Sequence, residues 1–245
     1  MRDSRKVVFF DVGGTLVEVS PSVGHVYALA CAQMGAHVLP ADVQRAFDQA
    51  WVSLSEDVPR GSDRYAMFPG GEHEWWEKVS CFAFDLCGVP AARRPAVPEL
   101  RAVFAKAESW HVYPEARAAL ATLKDAGFRL GVISNWDSRL PALMRRLGLD
   151  GYFESLVYSA GTGYEKPHPA IFSTALKALR VEASQAVHIG DRIDEDYAGA
   201  RAAGLGALLL CRGIVPPDLR DEVRRWGDEA DLVLDLAAAV RRVVE

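Results

Sequence analysis

Asp11 closes the apolar run Val7-Val8-Phe9-Phe10 and opens a turn, Val12-Gly13-Gly14-Thr15-Leu16. A short unbroken run of β-branched and aromatic residues reads as a buried strand. A carboxylate at the carboxyl end of such a strand stands where open α/β sheets place their ligands, and it has the chemistry of a nucleophile. The two glycines let the backbone turn tightly and come close to a ligand. A second segment, Val132-Ile133-Ser134-Asn135, ends another apolar run on a hydroxyl and an amide, with a helix expected to begin near Asp137 or Ser138. A hydroxyl and backbone N–H groups at that junction can bind an anion. Ser134 or Ser138 can equally serve as a plain helix cap.

The third segment is Glu165-Lys166-Pro167-His168-Pro169. Prolines around a helix start give a stiff loop that fixes where Lys166 points. Near Asp11, the ammonium would keep that carboxylate ionised and bind phosphoryl oxygens; on the surface it would be an ordinary solvated lysine. His168, alone between prolines, reads as structural and without an evident partner. The fourth segment, His188-Ile189-Gly190-Asp191-Arg192-Ile193-Asp194-Glu195-Asp196, ends a strand on a glycine and a carboxylate and adds three more acids. Carboxylates gathered in one crevice repel one another unless a cation neutralises them. Hard oxygen ligands with room for water suit magnesium. Asp191 and Asp196 are the expected functional acids, and Asp194 and Glu195 the solvated or capping ones.

Behind these residues lie two textures. From Val112 onward, strand candidates at Arg129–Ile133, Ser155–Tyr158, Ala186–Ile189 and Ala207–Leu210 alternate with helix-length segments, and Asp231–Asp235 offers a last short strand. That alternation predicts an α/β fold with a doubly wound parallel sheet covered on both faces. Between about Val17 and His111 only helical patterns occur, at Val23–Met34, Ala41–Leu54, Glu74–Cys87 and Val97–Ser109, interrupted by the Pro- and Gly-containing run 59–71. We expect an inserted α-helical domain at 17–111 and a core domain formed by 1–16 and 112–245. Half of the residues are hydrophobic, so the core needs no staples. The net charge of −5, with acids and bases interspersed, argues against a nucleic-acid partner. Four cysteines without close pairing do not spell a zinc site. Met1–Lys6 runs straight into a strand without a leader pattern. No apolar run is long enough to span a bilayer. The expectation is a cytoplasmic protein with no membrane partner.

The order and placement of the four segments resemble the haloacid dehalogenase-like hydrolase superfamily over essentially the whole chain. The resemblance implies that Asp11 is the nucleophile. Ser134 with Asn135, and Lys166, would bind phosphate, and Mg²⁺ would sit on Asp11, the Gly13 carbonyl and Asp191, with Asp196 in or next to the ligand set. It also implies a sheet with the first strand central and a helical cap, acting on a small phosphorylated substrate through an aspartyl-phosphate. One position departs from the pattern. Most phosphatases of the superfamily carry an acid two residues after the nucleophile, and this chain has Gly13. Losing a positioned general acid costs about two to four powers of ten in rate. Three readings therefore follow: a phosphatase; a domain that keeps metal and anion sites but turns over weakly or not at all; and a dehalogenase- or phosphonatase-type hydrolase, the last requiring a cap lysine for which Lys78 beside Trp75-Trp76 is the candidate.

Overall fold

The computed structural model describes residues 6–245; the Met1–Arg5 part of the N-terminal segment read above lies outside the described residues, as does the side chain of Pro217. The chain divides into two compact units, Met1–Val17 with Val112–Glu245, and Glu18–His111. Val17 thus counts with the first unit.

The elements run β1 (Val7–Phe10), β2 (Val17–Val19), α1 (Val23–Gln33), α2 (Pro40–Glu56), α3 (Gly71–Leu86), α4 (Val97–Phe104), β3 (Trp110–Val112), α5 (Ala116–Asp125) and β4 (Arg129–Ser134). There follow α6 (Leu140–Arg146), β5 (Ser155–Tyr158), α7 (Ser159–Thr162), α8 (Pro169–Leu179), β6 (Ala186–Gly190), α9 (Gly199–Ala202), β7 (Gly206–Leu210), α10 (Pro217–Trp226), β8 (Leu232–Val233) and α11 (Leu236–Val244). Six strands form one sheet in the order β5-β4-β1-β6-β7-β8, and every neighbouring pair is parallel. β1 is central, and all four of its residues are buried. A parallel strand covered on both faces needs apolar side chains on both, which is why it reads as an unbroken run and not as an alternation. α8 packs on β4 and β5, α9 on β7, and α11 on β7 and β8. One face is filled by Phe9, Ile133, Phe172, Leu179, Tyr197 and Leu209.

The chain leaves β1 toward β4 and β5, then returns to the other side of β1 to build β6, β7 and β8. The loops after β1 and β6 therefore diverge in opposite directions. That divergence opens the crevice at which doubly wound sheets bind ligands, and Asp11 and Asp191 stand at its two lips.

The inserted unit is a helical body around Tyr27, Cys31, Val43, Phe84 and Leu100. Trp75 is wholly buried; it packs edge-on against Trp51 at a centroid distance of 5.5 Å and tilted against Phe68 at 5.8 Å. The Arg64 guanidinium lies over the Trp51 ring at 4.4 Å. These aromatics form the interior of the unit.

Two expectations are corrected. The stretch 17–111 was expected to hold no strand, yet β2 and β3, which begin and end it, pair as a two-stranded sheet. Three residues each are too few to show a period, and their pairing is decided at long range. The helix expected near Asp137 or Ser138 begins only at Leu140, flanked by Arg139 without a side-chain cap. The Asp137 carboxylate instead accepts from the Arg139 backbone N–H and guanidinium, which holds the segment as a turn.

Candidate active site

Asp11 extends the β1 ladder, its N–H donating to the Ile189 carbonyl at 2.9 Å, and its residue is only 7% exposed. Lys166 reaches it from the loop before α8. The Lys166 side chain is buried, and its Nζ donates to Asp11 Oδ1 at 2.7 Å, to the Ile133 carbonyl at 2.9 Å and to Asp196 Oδ1 at 2.5 Å. An ammonium has three N–H donors, so all three are engaged. Lys166 was expected to bind phosphoryl oxygens directly. Here its three donors are taken by protein oxygens, and it orients two carboxylates.

Asp196 is itself held from three sides. Its Oδ1 also meets Nε2 of His188 at 2.9 Å, and its Oδ2 accepts from the Arg192 N–H at 2.9 Å. The residues Ile193–Ala198 form one π-helical stretch, a wide turn frequent at functional sites, and it swings Asp196 back toward β6. Asp191 has less support: the Thr15 hydroxyl approaches its Oδ1 at 3.4 Å. The Ser134 hydroxyl is buried at the end of β4, close enough to the Asp11 carboxylate to favour its ionised form.

Burial and charge set the protonation of this group. Burial pulls Lys166 down, but the Asp11 and Asp196 charges outweigh it and hold the ammonium above its ordinary range. Burial pushes Asp196 up, yet Lys166 and the His188 hydrogen bond hold it well below the usual carboxylate range. Asp11 is raised, with burial and Asp196 outweighing Lys166. Asp191 is pushed up to about 7 by burial and then by the Asp11 and Asp196 charges. Burial lowers His188, so its imidazole is neutral, and the Nε2 proton is donated to Asp196.

Three carboxylates therefore share one ammonium. Oxygens of Asp11, Asp191 and Asp196 lie within 4.8 Å of one another, and the surplus negative charge asks for a cation. An all-carboxylate donor set fits a hard divalent ion. Close approach of the turn after Asp11 completes the enclosure. Gly14 has φ +74°, and a Cβ there would stand 2.4 Å from Asp191 Oδ2. Only glycine permits both that conformation and that proximity.

The structure brings Asp11, Ser134, Lys166, Asp191 and Asp196 together at the strand ends and gives several other side chains partners that the sequence did not indicate. Asn135, expected to bind phosphate, spends its amide elsewhere: Oδ1 accepts from the Lys166 N–H at 2.7 Å, and Nδ2 donates to the Lys166 carbonyl and to Glu195, each at 3.1 Å. It clamps the lysine loop. Glu195, expected to be solvated or capping, is the half-buried partner in that clamp. His168 does have partners: its Nδ1 accepts from the Ala170 N–H at 3.1 Å and caps α8, and its ring stacks on Tyr164 at 4.4 Å. His188 was overlooked, although a histidine inside an otherwise apolar strand was the available signal. Lys78 is largely exposed, pairs with Glu74 at 3.5 Å and lies over Phe68.

The model of the haloacid dehalogenase-like hydrolases matches residues 5–204, a span that takes in every residue of this site, and the protein belongs to that family. Among named relatives it is similar to haloacid dehalogenase-like hydrolase domain-containing protein 3 of Danio rerio, 35% identical over 215 residues that cover 86% of this chain and 87% of the relative. It is also similar to glyceraldehyde 3-phosphate phosphatase of Pyrococcus abyssi, 32% identical over 220 residues, 85% of this chain and 82% of the relative. The structure resembles L-2-haloacid dehalogenase from Xanthobacter autotrophicus with a TM-score of 0.67 over 98% of each chain. At 20% identity that likeness is one of fold. Among the described residues no helix is long and apolar enough to cross a membrane.

Proposed function

We propose that the protein is a magnesium-dependent phosphomonoesterase of the cytoplasm, acting on a small phosphorylated metabolite through an aspartyl-phosphate on Asp11. The observation that carries this reading is the buried Lys166 ammonium bound at once to Asp11 and Asp196. A lysine so placed favours the ionised nucleophile against burial and the Asp196 charge and fixes one of its oxygens, leaving the other to attack phosphorus. The phosphatase name of a relative points the same way.

Asp11, the Gly13 carbonyl and Asp191 would hold Mg²⁺, which supplies positive charge to the phosphoryl oxygens amid three carboxylates. Asp196 anchors Lys166 beside that set. Ser134 lies beside Asp11 and would turn its hydroxyl to a phosphoryl oxygen, and Lys166 would add charge without moving. The Asn135–Glu195 clamp keeps the Lys166 loop in register. No side chain at position 13 can protonate the departing oxygen or activate the water that cleaves the aspartyl-phosphate. Esters with good leaving groups should therefore react best, and turnover should be slow after an initial burst.

A second reading is favoured by that same absence: a domain that binds phosphate and metal with little turnover. The dehalogenase reading is less well supported, because a carboxylate cluster that needs a cation has no use in a metal-free displacement. The exposed, Glu74-paired Lys78 gives the phosphonatase reading no support. The deciding measurement is phosphate release from one aryl and one alkyl monoester, with magnesium and with chelator. We expect magnesium-dependent release, faster for the aryl ester by at least about a hundredfold. Binding of phosphate without release from either ester would establish the second reading. Equal rates on both esters would reveal another general acid.

A further inference from the structure

Gly13 and Gly14 are glycines for different reasons. Gly14 needs its positive φ, whereas Gly13 has none. What lies at Gly13 is an indole: a Cβ built there would stand 3.3 Å from Cζ3 of Trp136. The space into which a side chain at 13 would project, beside the nucleophile, is bounded by the edge of that ring.

The indole is carried on a fixed segment. The Trp136 N–H donates to the Ser159 hydroxyl at 3.1 Å, and its carbonyl accepts from the same hydroxyl at 3.1 Å and from the Ala160 N–H at 3.2 Å. Ser159 is wholly buried. The preceding residue is locked to the Lys166 loop on both sides, and the next, Asp137, is buried and paired with Arg139. Trp136 itself is half-buried.

We propose that Trp136 is a specificity-determining residue. Its indole forms the wall of the site beside Gly13 and favours phosphate monoesters whose leaving group is a flat unsaturated ring. Such a ring lies offset or edge-on against the indole, while a puckered ring of the same size does not. This selection rests on the phosphomonoesterase reading above and names its substrate class. It also accords with the chemistry at Gly13, since aryl and enol oxygens leave without a strong proton donor.

The test uses binding, so that turnover does not enter. The full-length protein in magnesium is titrated calorimetrically with phenylphosphonate, cyclohexylphosphonate and inorganic phosphate, for wild type, Trp136→Phe and Trp136→Leu, each checked for fold by circular dichroism. We expect wild type to bind phenylphosphonate roughly fivefold more tightly than cyclohexylphosphonate, as an aromatic pair allows. Trp136→Phe should keep that preference. Trp136→Leu should lose it, with affinity for inorganic phosphate unchanged. A phenyl preference that survives in Trp136→Leu, or is missing from wild type, overturns the assignment while leaving the phosphatase reading intact. Failure of wild type to bind even inorganic phosphate overturns both.

Discussion

The α/β unit and the inserted helical unit both bury an apolar core but treat buried charge differently. The first encloses Asp11, Lys166, His188 and Asp196 in one hydrogen-bonded chain; the second encloses Trp75, Phe84 and Tyr27 and stacks its buried Arg64 on a tryptophan. Burying charge is costly unless each group is paired. The α/β unit accepts that cost in a cluster at the crevice its topology provides, whereas the interior of the insertion is mainly apolar and its buried Arg64 lies against aromatic rings. Stability and chemistry should therefore separate by region: substitutions in the crevice change turnover out of proportion to stability, and substitutions in the insertion do the reverse.

The largest effect is expected from Asp11→Asn. Turnover of an aryl phosphate should fall by about four powers of ten or more, because an amide does not attack phosphorus. The melting temperature should hold or rise, since one of three crowded carboxylates is gone. Activity retained by purified Asp11→Asn protein would place the chemistry elsewhere. Lys166→Met comes next and blurs the comparison on purpose. It strands Asp11 and Asp196 as buried anions, so we expect a loss of about 3–5 kcal/mol in denaturant unfolding together with a fall of roughly two to three powers of ten in turnover. Unchanged stability in that variant would show that the ammonium is not what holds the two acids in place.

A smaller effect concerns pH. The Asp191 carboxyl, pushed up to about 7, must lose its proton to take a cation. Magnesium affinity should fall about tenfold per unit as pH drops below about 7 and level off above it. In metal-free protein the sign is fixed by linkage. The folded state holds the Asp191 proton more tightly than the unfolded chain, so this group stabilises at low pH, and its contribution is lost as pH rises from about 4 to about 7. The thermal shift produced by magnesium over chelator should accordingly be greater at pH 8 than at pH 5.5. An equal shift at both would remove Asp191 from the ligand set.

The smallest effect on activity is expected in the insertion. Trp75 is wholly buried, and its indole N–H has no acceptor among the described residues. Trp75→Phe should cost about 1–2 kcal/mol in packing, tempered by removal of that N–H, while aryl phosphate turnover stays within about twofold. A tenfold loss of turnover at unchanged stability would mean that the insertion holds chemistry of its own.

How much of this was legible in the sequence follows from the range of each interaction. β1, β4 and β6 were readable because their apolar runs are local, and a strand that ends in Asp, Ser or Gly-Asp announces where its chemistry sits. The prolines around Lys166 marked its loop as stiff, but only the family resemblance assigned it to the crevice. The Asn135–Glu195 clamp was not readable, since it joins side chains 60 positions apart and nothing local distinguishes Glu195 from Asp194. The wide turn at Ile193–Ala198 decides which acid faces inward, and an ordinary helical period misreads it. β2 and β3 were invisible for a related reason: each is defined by the other, across the whole insertion.

The approach of Gly14 to Asp191 has a genetic consequence. Any residue with a Cβ at position 14 evicts the carboxylate of a residue that lies most of the chain away, so two codons behave as one locus: damage to the first is read out as loss of the second. Position 13 is under no such bond. Its backbone is ordinary, and its one constraint is an indole that a smaller neighbour would relax. Within a single turn the protein thus holds one position closed to variation and, next to it, one through which a lineage could acquire or surrender an acid in two substitutions.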